Sequence, residues 1–244
     1  MNLHVIASGS KANCYVMETE TEALILECGV PFAQVMKTLQ YKNKVKGVLL
    51  THEHGDHAKH AQEYANRSIL HGTKGTLEAL SISTAKTLKY GTTYRIGGFK
   101  VLPFATKHDA VQPCGYVVNH PKCGNVLFAT DTYYIPVTVQ DLDTAIIECN
   151  YIGNTLEDNH SKGIIDKTRY ERVITSHMGM DTCVQYLAKY DPCVLGRINV
   201  VLIHTSEQNG DKAIMTNALQ KALGINKIYA PNNGDVINLN KIPF

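Results

Sequence analysis

The segment His52-Glu53-His54-Gly55-Asp56-His57 is the feature that most limits what this chain can fold into. Three histidines and one aspartate fall within these six residues, directly after the apolar run Val48-Leu49-Leu50. A short apolar run is typical of a buried strand, which delivers the side chains that follow it to one place. Imidazole nitrogens and carboxylate oxygens are the usual ligands of zinc and similar divalent ions. This His-rich segment therefore predicts a metal site in a tight loop, with Gly55 expected to permit the turn; a solvated polar loop is the alternative interpretation.

Size and composition favour one compact domain. The 244 residues, 44% of them hydrophobic, can bury one sizeable core, so we predict a single domain over residues 1–244. The formal net charge of +2 neither demands nor excludes a nucleic-acid partner. The start of the chain lacks the features of a signal peptide, and no apolar run is long enough to cross a membrane. Together with seven scattered cysteines, which indicate reduced thiols, this predicts a soluble cytoplasmic protein without a membrane partner.

Strand patterns alternate with helical patterns, which predicts an α/β fold. The predicted helices are Phe32–Leu39, Ala58–Ala65, Cys183–Ala188 and Ile214–Leu223, the last ending at Gly224. The predicted strands are Leu3–Ala7, Cys14–Glu18, Ala23–Glu27, Val45–Leu50, Ser68–Leu70, Tyr94–Ile96, Phe99–Phe104, Gly115–Asn119, Asn125–Ala129 and Val200–Ile203. We expect the β-rich region 94–150 to form a second sheet, in which Gly115–Asn119 pairs with Asn125–Ala129.

The His-rich segment resembles the His-x-His-x-Asp-His signature of the metallo-β-lactamase superfamily. After this signature the family supplies a lone histidine, then an aspartate at a strand end, then a histidine at the end of a late strand. This chain has matching residues in that order, namely His108, Asp131 and His204. The resemblance covers nearly the whole chain and implies the αββα sandwich of that family, with two mixed sheets packed face to face and helices outside.

The resemblance also implies a ligand set for two divalent metal ions. One ion would be bound by His52, His54 and His108. The other would be bound by Asp56, His57 and His204, and Asp131 would bridge the two. Zinc is the expected metal and manganese its rival. Histidines without a match in the family pattern are expected to be structural: His4, His60, His71, His120 and His160.

Two residues are candidate catalytic groups. Asp56 is expected to orient the attacking water as well as to bind metal. His177, in Thr175-Ser-His-Met, resembles the Ser-His or Gly-His segment of phosphodiesterase branches and is the candidate proton donor to the leaving group; a structural histidine at a helix end is the alternative.

Four further polar residues are candidates for contact with a substrate. Ser206 and Asn209 are candidate phosphate or base contacts, or else simple turn residues. Lys11 and Lys107 are candidate attractors of phosphate, or else solvated lysines. Neither lysine is expected to be catalytic.

Four segments resemble a particular branch of the superfamily. The opening Ala7-Ser-Gly-Ser-Lys-Ala-Asn-Cys is similar to the start of WalJ/YycJ-like and ribonuclease Z-like proteins, with Ala12 where glycine is usual. The segments Glu148-Cys-Asn-Tyr, Ser176-His-Met and His204-Thr-Ser-Glu-Gln-Asn resemble further parts of that group. This resemblance implies phosphodiester chemistry and, because ribonuclease Z-like relatives are commonly dimers, a homodimer.

These observations predict a binuclear metal-dependent phosphodiesterase that hydrolyses nucleotide phosphodiesters. Cyclic mononucleotides are the preferred substrate, as in the related anti-Pycsar enzymes with which phages blunt a host signal, because the chain has neither a long arm nor a strong positive charge. A WalJ-type nuclease for single-stranded DNA or RNA is the alternative. Thiolester and β-lactam hydrolysis are disfavoured by the short segment after His204 and by the lack of an export signal. A non-catalytic metal-binding module is disfavoured because all seven ligand positions carry coordinating residue types.

Overall fold

The computed structural model describes residues 1–39, 44–67 and 69–239, and within these ranges the strands form two seven-stranded sheets. The first sheet has the order β14-β1-β2-β3-β4-β5-β6. Its strands are β1 (Asn2–Ala7), β2 (Cys14–Glu18), β3 (Ala23–Leu26), β4 (Val45–Leu49), β5 (Leu70–Thr73), β6 (Lys86–Leu88) and β14 (Val236–Asn238). Neighbours from β14 to β3 are antiparallel and those from β3 to β6 are parallel, so the sheet is mixed.

The second sheet has the order β13-β12-β11-β10-β9-β8-β7 and is also mixed. Its strands are β7 (Tyr94–Ile96), β8 (Phe99–Ala105), β9 (Cys114–His120), β10 (Gly124–Ala129), β11 (Leu142–Glu148), β12 (Asn199–Ile203) and β13 (Lys227–Tyr229). The predicted pairing of β9 with β10 is confirmed, because Val117 lies opposite Leu127 in an antiparallel register. From β10 to β13 the strands are parallel.

Helices connect these strands. They are α1 (Phe32–Thr38), α2 (Gly55–Ala58), α3 (Ala61–Ala65), α4 (Lys74–Ala79), α5 (Gly153–Ser161), α6 (Lys167–Ser176), α7 (Met180–Leu187), α8 (Pro192–Leu195) and α9 (Lys212–Leu223). The helix α9 ends at Gly224, whose φ of 66° is the left-handed C-cap that the sequence predicts. None of the helices in the described ranges combines the length and apolar character that a membrane crossing needs.

The alternation of side chains along the strands separates three apolar layers. On β2, Tyr15 and Met17 enter the layer between the two sheets, whereas Cys14 and Val16 face the opposite side. The outer layer of the first sheet is covered by side chains from α1, α3 and α4, and that of the second sheet by side chains from α7 and α9. The predicted αββα sandwich, two mixed sheets face to face with helices outside, is therefore confirmed.

Three details differ from the sequence prediction. The helix predicted over Ala58–Ala65 is divided into α2 and α3, because the backbone N–H of His60 donates to the carbonyl of Cys28 instead of continuing one helix. Helix α2 begins at Gly55, where an added Cβ would meet no atom and φ is not positive, so the turn does not require glycine. The strand predicted over Ser68–Leu70 shares only Leu70 with the observed β5, which begins at Leu70 and ends at Thr73, and Ser68 itself lies outside the described residues.

A different glycine, Gly29, is required beneath the His-rich segment. Its N–H donates to the carbonyl of Asn13 at 3.0 Å. A Cβ at Gly29 would overlap the carbonyl oxygen of Asp56 and lie 2.7 Å from the backbone nitrogen of Asn13, and these two atoms are hydrogen-bonded to each other. Backbone atoms cannot move aside as flexible side chains can, so this close approach fixes the base of the segment.

We expect Gly29→Ala to lower the free energy of unfolding by about 1–3 kcal/mol, because the added methyl group overpacks a backbone contact. The matched control is Gly55→Ala, which adds the same methyl group in open space and should change the free energy by less than about 0.5 kcal/mol. Urea denaturation of the metal-free proteins measures both values. Equal stability of the two variants would contradict this account.

Candidate metal centre

The predicted ligands come together at the carboxyl ends of the central strands. The His-rich segment follows β4 of the first sheet, Asp131 follows β10, and His204 follows β12 of the second sheet. Glu148 is the last residue of β11, which lies between β10 and β12. Because these strands of the second sheet are parallel, their carboxyl ends meet at one edge, and the packed sheets bring both sets of side chains together.

The first cluster consists of His52, His54 and His108, each of which offers one ligand atom within 4.8 Å of the others. His54 Nδ1 lies 3.1 Å from His108 Nε2. His108 Nδ1 lies 2.9 Å from the carbonyl oxygen of Ser176, to which it donates, and this leaves the Nε2 lone pair facing the cluster. The Nε2 atom of His52 is buried without a hydrogen-bond partner among the described residues. Converging imidazole nitrogens, one of them orphaned, fit a divalent metal ion.

The second cluster consists of Asp56, His57, Asp131 and His204. His57 Nε2 lies 3.1 Å from Asp56 Oδ2 and 3.2 Å from Asp131 Oδ1. His204 Nε2 lies 3.4 Å and 3.6 Å from the same two oxygens. Two imidazoles and two carboxylates around one point form a donor set that also fits a divalent cation.

Asp131 lies between the two clusters. Its Oδ1 atom faces His57 and His204, whereas its Oδ2 atom lies 3.6 Å from His108 Nε2 and 3.9 Å from His52 Nε2. One carboxylate thus presents an oxygen to each cluster, which is the arrangement that the predicted bridging role needs. Its backbone has a φ of 48°, a left-handed conformation that non-glycine residues seldom adopt, so the fold holds it in place at an energetic cost.

The charge states of four of these side chains suit metal binding. Burial alone would raise the pKa of Asp131, but the neighbouring His204 and His57 hold it well below its usual range. Burial also opposes ionisation of Asp56, whose pKa is nevertheless lowered by hydrogen bonds from His204 and His57. Burial lowers the pKa of His52 and of His108. At neutral pH the two aspartates are anions and these two imidazoles are neutral, which are the forms that bind metal.

Glu148 is a site residue that the sequence analysis assigned no role. Its side chain is fully buried, and its Oε1 atom lies 2.7 Å from His177 Nδ1 and 3.1 Å from His204 Nδ1. Its Oε2 atom accepts hydrogen bonds from the backbone nitrogens of Thr132 and Met178. The carboxylate therefore orients two histidines at once. An acidic residue that closes the apolar strand β11 is the feature by which it is recognisable in the sequence.

Two residues of the first sheet and its loops, Glu27 and Asn13, lie against His57 as Glu148 lies against His204. The buried Glu27 follows β3 with a φ of 66°, and its Oε1 atom lies 3.5 Å from His57 Nδ1. The side-chain nitrogen of Asn13 lies 3.1 Å from both Asp56 Oδ2 and His57 Nε2. Glu27 again closes an apolar strand, and Asn13 belongs to the opening segment whose role the sequence left unspecified.

His177 lies at the C-terminus of α6, the position that a structural histidine at a helix end would have. Its side chain also lines the cleft of the metal centre. Its ring is stacked on that of His204, with centroids 5.3 Å apart. With Asp131, Glu148 and His204 it forms a third group whose ligand atoms lie within 4.8 Å of one another. Burial lowers its pKa, but the contact with Glu148 raises it by more. The geometry therefore suits a proton donor and is also compatible with a metal ligand.

One open cleft exposes both clusters to solvent. Its walls include His54, Asp56, His177 and two arginines of α6, Arg169 and Arg172. Ser206 and Asn209 also line it, and they bond to each other because the Asn209 backbone N–H donates to Ser206 Oγ. Lys11 instead forms an exposed ion pair with Glu207. In the described part of the chain, no metal-binding group includes His4, His60, His71, His120 or His160.

A family model described as "Beta-lactamase superfamily domain" matches residues 24–205, which hold the complete predicted ligand set. Exodeoxyribonuclease WalJ of Streptococcus pneumoniae is 26% identical, over 92% of this chain and 92% of its own length. Exodeoxyribonuclease YycJ of Bacillus anthracis is 25% identical, over the whole of both chains. The metallo-beta-lactamase fold protein YhfI of Bacillus subtilis superposes with a TM-score of 0.72 at 16% identity, covering 97% of this chain and 99% of that one, and shares the fold.

Metal binding should release protons at pH 7. Burial lowers the pKa of His204, but Asp131 and the other neighbouring carboxylates raise it to about 10, and the pKa of His57 is likewise raised well above its usual value. Both rings are therefore protonated in the metal-free protein at neutral pH, and a metal must displace these protons. Apparent affinity for Zn²⁺ should rise between pH 6 and pH 8.

Calorimetric titration of Zn²⁺ in two buffers of different ionisation enthalpy measures the number of protons released. His204→Gln should lower that number, whereas His160→Gln, at a ring stacked on Tyr170 outside the clusters, should not. A heat of binding that is independent of the buffer would contradict the prediction.

Proposed function

We propose that this chain, a metal-dependent hydrolase that belongs to the beta-lactamase superfamily, is a nuclease. It would hydrolyse phosphodiester bonds at DNA ends. The observation that carries the proposal is the cleft in which Arg169 and Arg172 stand beside both metal-binding clusters. Arginine binds phosphate oxygens with paired N–H donors, so this wall is suited to a phosphodiester next to the metals. The two exodeoxyribonuclease relatives, which match over nearly their whole lengths, support DNA as the substrate.

The proposed cofactor is a pair of divalent cations, zinc with manganese as the rival. His52, His54 and His108 would hold one of them, Asp56, His57 and His204 the other, and Asp131 both. When bound, such a pair lowers the pKa of water and neutralises charge on phosphoryl oxygens.

The protein groups supply positioning and a proton. Asp56, partly open to the cleft, is placed to orient the attacking water, and Asn13 fixes its carboxylate. His177 is placed to protonate the leaving oxygen, since it lines the cleft with its Nδ1 atom engaged by Glu148. Glu148 acts through His177 and His204 and is a positioning residue.

Cyclic mononucleotides, the substrate that the sequence analysis prefers, become the second candidate because the relatives are named exodeoxyribonucleases. A near-neutral net charge of +2 favours a small substrate over a long polyanion, and such an activity would suit a phage enzyme that removes a signalling nucleotide. A single domain over residues 1–244, a homodimer and a cytoplasmic location belong to the same proposal and stay predictions.

The decisive experiment compares substrates directly. The metal-loaded protein is incubated with cyclic mononucleotides and with end-labelled single-stranded DNA and RNA, beside Asp56→Ala and His57→Ala as inactive controls. We expect nucleotides to be released from DNA ends and no activity in either control. Cleavage of cyclic mononucleotides alone would replace the leading substrate by the second, and equal activity after removal of metal would contradict both.

His177→Ala should lower kcat on DNA by about 10²–10⁴-fold, because a general acid contributes about that factor to the rate. The metal content should stay unchanged. The loss should be far smaller on bis(p-nitrophenyl) phosphate, whose leaving group departs without protonation. His160→Ala serves as the control. Loss of bound metal from His177→Ala, measured by elemental analysis, would instead identify His177 as a ligand.

A further inference from the structure

Two exposed tyrosines follow the metal-centre residue Asp131 closely in sequence. Tyr133 and Tyr134 have 43% and 45% of their surface accessible, although large aromatic side chains are usually covered. They lie in the loop 130–141 that follows β10, two and three residues after Asp131. Both rings therefore belong to the loop that begins beside the proposed bridging carboxylate, outside the walls of the cleft itself.

The backbone holds this loop against a second loop of the site. The N–H of Tyr133 donates to the carbonyl of Lys107 at 3.2 Å, and the N–H of Lys107 donates to Thr132 Oγ1 at 3.0 Å. Thr132 Oγ1 also donates to the carbonyl of Tyr134 at 2.7 Å. Lys107 directly precedes His108, so both ends of this contact are tied to side chains of the metal centre. The rings are therefore presented from a fixed support.

Two lysines join these tyrosines, Lys107 through its backbone contact with Tyr133 and Lys189 through its side chain over the ring of Tyr134. Lys107 is exposed, and Lys189 Nζ lies 5.1 Å from the ring centroid of Tyr134. In residues 1–39, 44–67 and 69–239, neither lysine forms an ion pair with a carboxylate. We name Lys107, Tyr133, Tyr134 and Lys189 together the tyrosine platform. It combines aromatic faces with positive charge that no acidic side chain neutralises.

We propose that the tyrosine platform binds the nucleotides of a single-stranded DNA substrate that extend out of the cleft, with one base stacked on Tyr133 and phosphates near Lys107 and Lys189. This rests on the nuclease function proposed above. Bases stack on aromatic side chains while lysines follow the phosphates, the usual pattern of single-strand binding. Tyr133 is the stacking residue, because Lys189 already lies over the ring of Tyr134.

The chemistry of the tyrosine platform favours single-stranded DNA over other occupants. A cyclic mononucleotide held at the metals would not reach a surface outside the cleft. A DNA duplex keeps the faces of its bases stacked inside the helix, so it offers no base to Tyr133. A second copy of this chain would bring its own charge of +2 to an already positive surface, whereas phosphates complement that surface.

Binding is tested with the metal-loaded protein and a fluorescein-labelled phosphorothioate oligodeoxythymidylate, which resists hydrolysis. Fluorescence anisotropy should give a Kd about tenfold higher for Tyr133→Ala than for the wild type, the effect expected for one stacked base. Tyr133→Phe keeps the ring and should bind as the wild type does. An unchanged Kd for Tyr133→Ala, or an equal loss on a duplex of the same length, would overturn the proposal. So would a change in oligomeric state of Tyr133→Ala in light scattering, because it would identify the surface as a subunit contact.

Cleavage kinetics separate this inference from the proposed nuclease function. On single-stranded DNA, Tyr133→Ala should raise KM about tenfold with kcat retained, and Tyr133→Phe should restore the wild-type KM. Equal KM values for the wild type and Tyr133→Ala would contradict the platform while leaving the nuclease in place. Strand binding that depends on Tyr133, with no cleavage by the metal-loaded wild type, would instead contradict the nuclease and support the platform as a strand-binding surface.

Discussion

Removing a carboxylate such as Asp131 from water costs several kcal/mol unless neighbouring charges and hydrogen bonds compensate for the lost hydration. Asp131 is buried, and the compensation comes from His57 and His204, which face its Oδ1 atom. These imidazoles are themselves buried and must be oriented, which brings further carboxylates into the interior. Much of the architecture at this edge of the sandwich follows from that one requirement.

Glu148 and Glu27 are the result. Each closes an apolar strand, each is fully buried, and each faces the far nitrogen of a histidine that points its other nitrogen at Asp131. Each sheet thus contributes one buried glutamate that faces a histidine of the metal centre. Positive φ at Glu27, Asp131 and His204 shows that the backbone departs from its preferred conformations where these side chains converge, which is where strain is usually tolerated for function.

The sequence predicted the layers and most strands well, because alternating patterns such as that of β2 leave little choice of inner and outer face. Features that depend on contacts between distant parts of the sequence were harder to predict. The break between α2 and α3 depends on the contact of His60 with Cys28, which lies far away in sequence. Helix α6 was missed because it is polar along most of its length, although it supplies Arg169 and Arg172 to the cleft. The support from Glu148 became visible only when β11 was placed between β10 and β12.

The parallel pairing of β11 with β12 sets Glu148 opposite Ile203, one residue before His204. Because side chains alternate along a strand, a slip of one residue would turn Glu148 toward the helical layer and bring Cys149 to the position facing His204. These strands are separated by fifty residues of chain and several helices, and pairings of that kind form slowly during folding. The register of this one strand pair therefore decides whether the buried carboxylate of Glu148 reaches Nδ1 of His204 and turns its Nε2 atom toward Asp131.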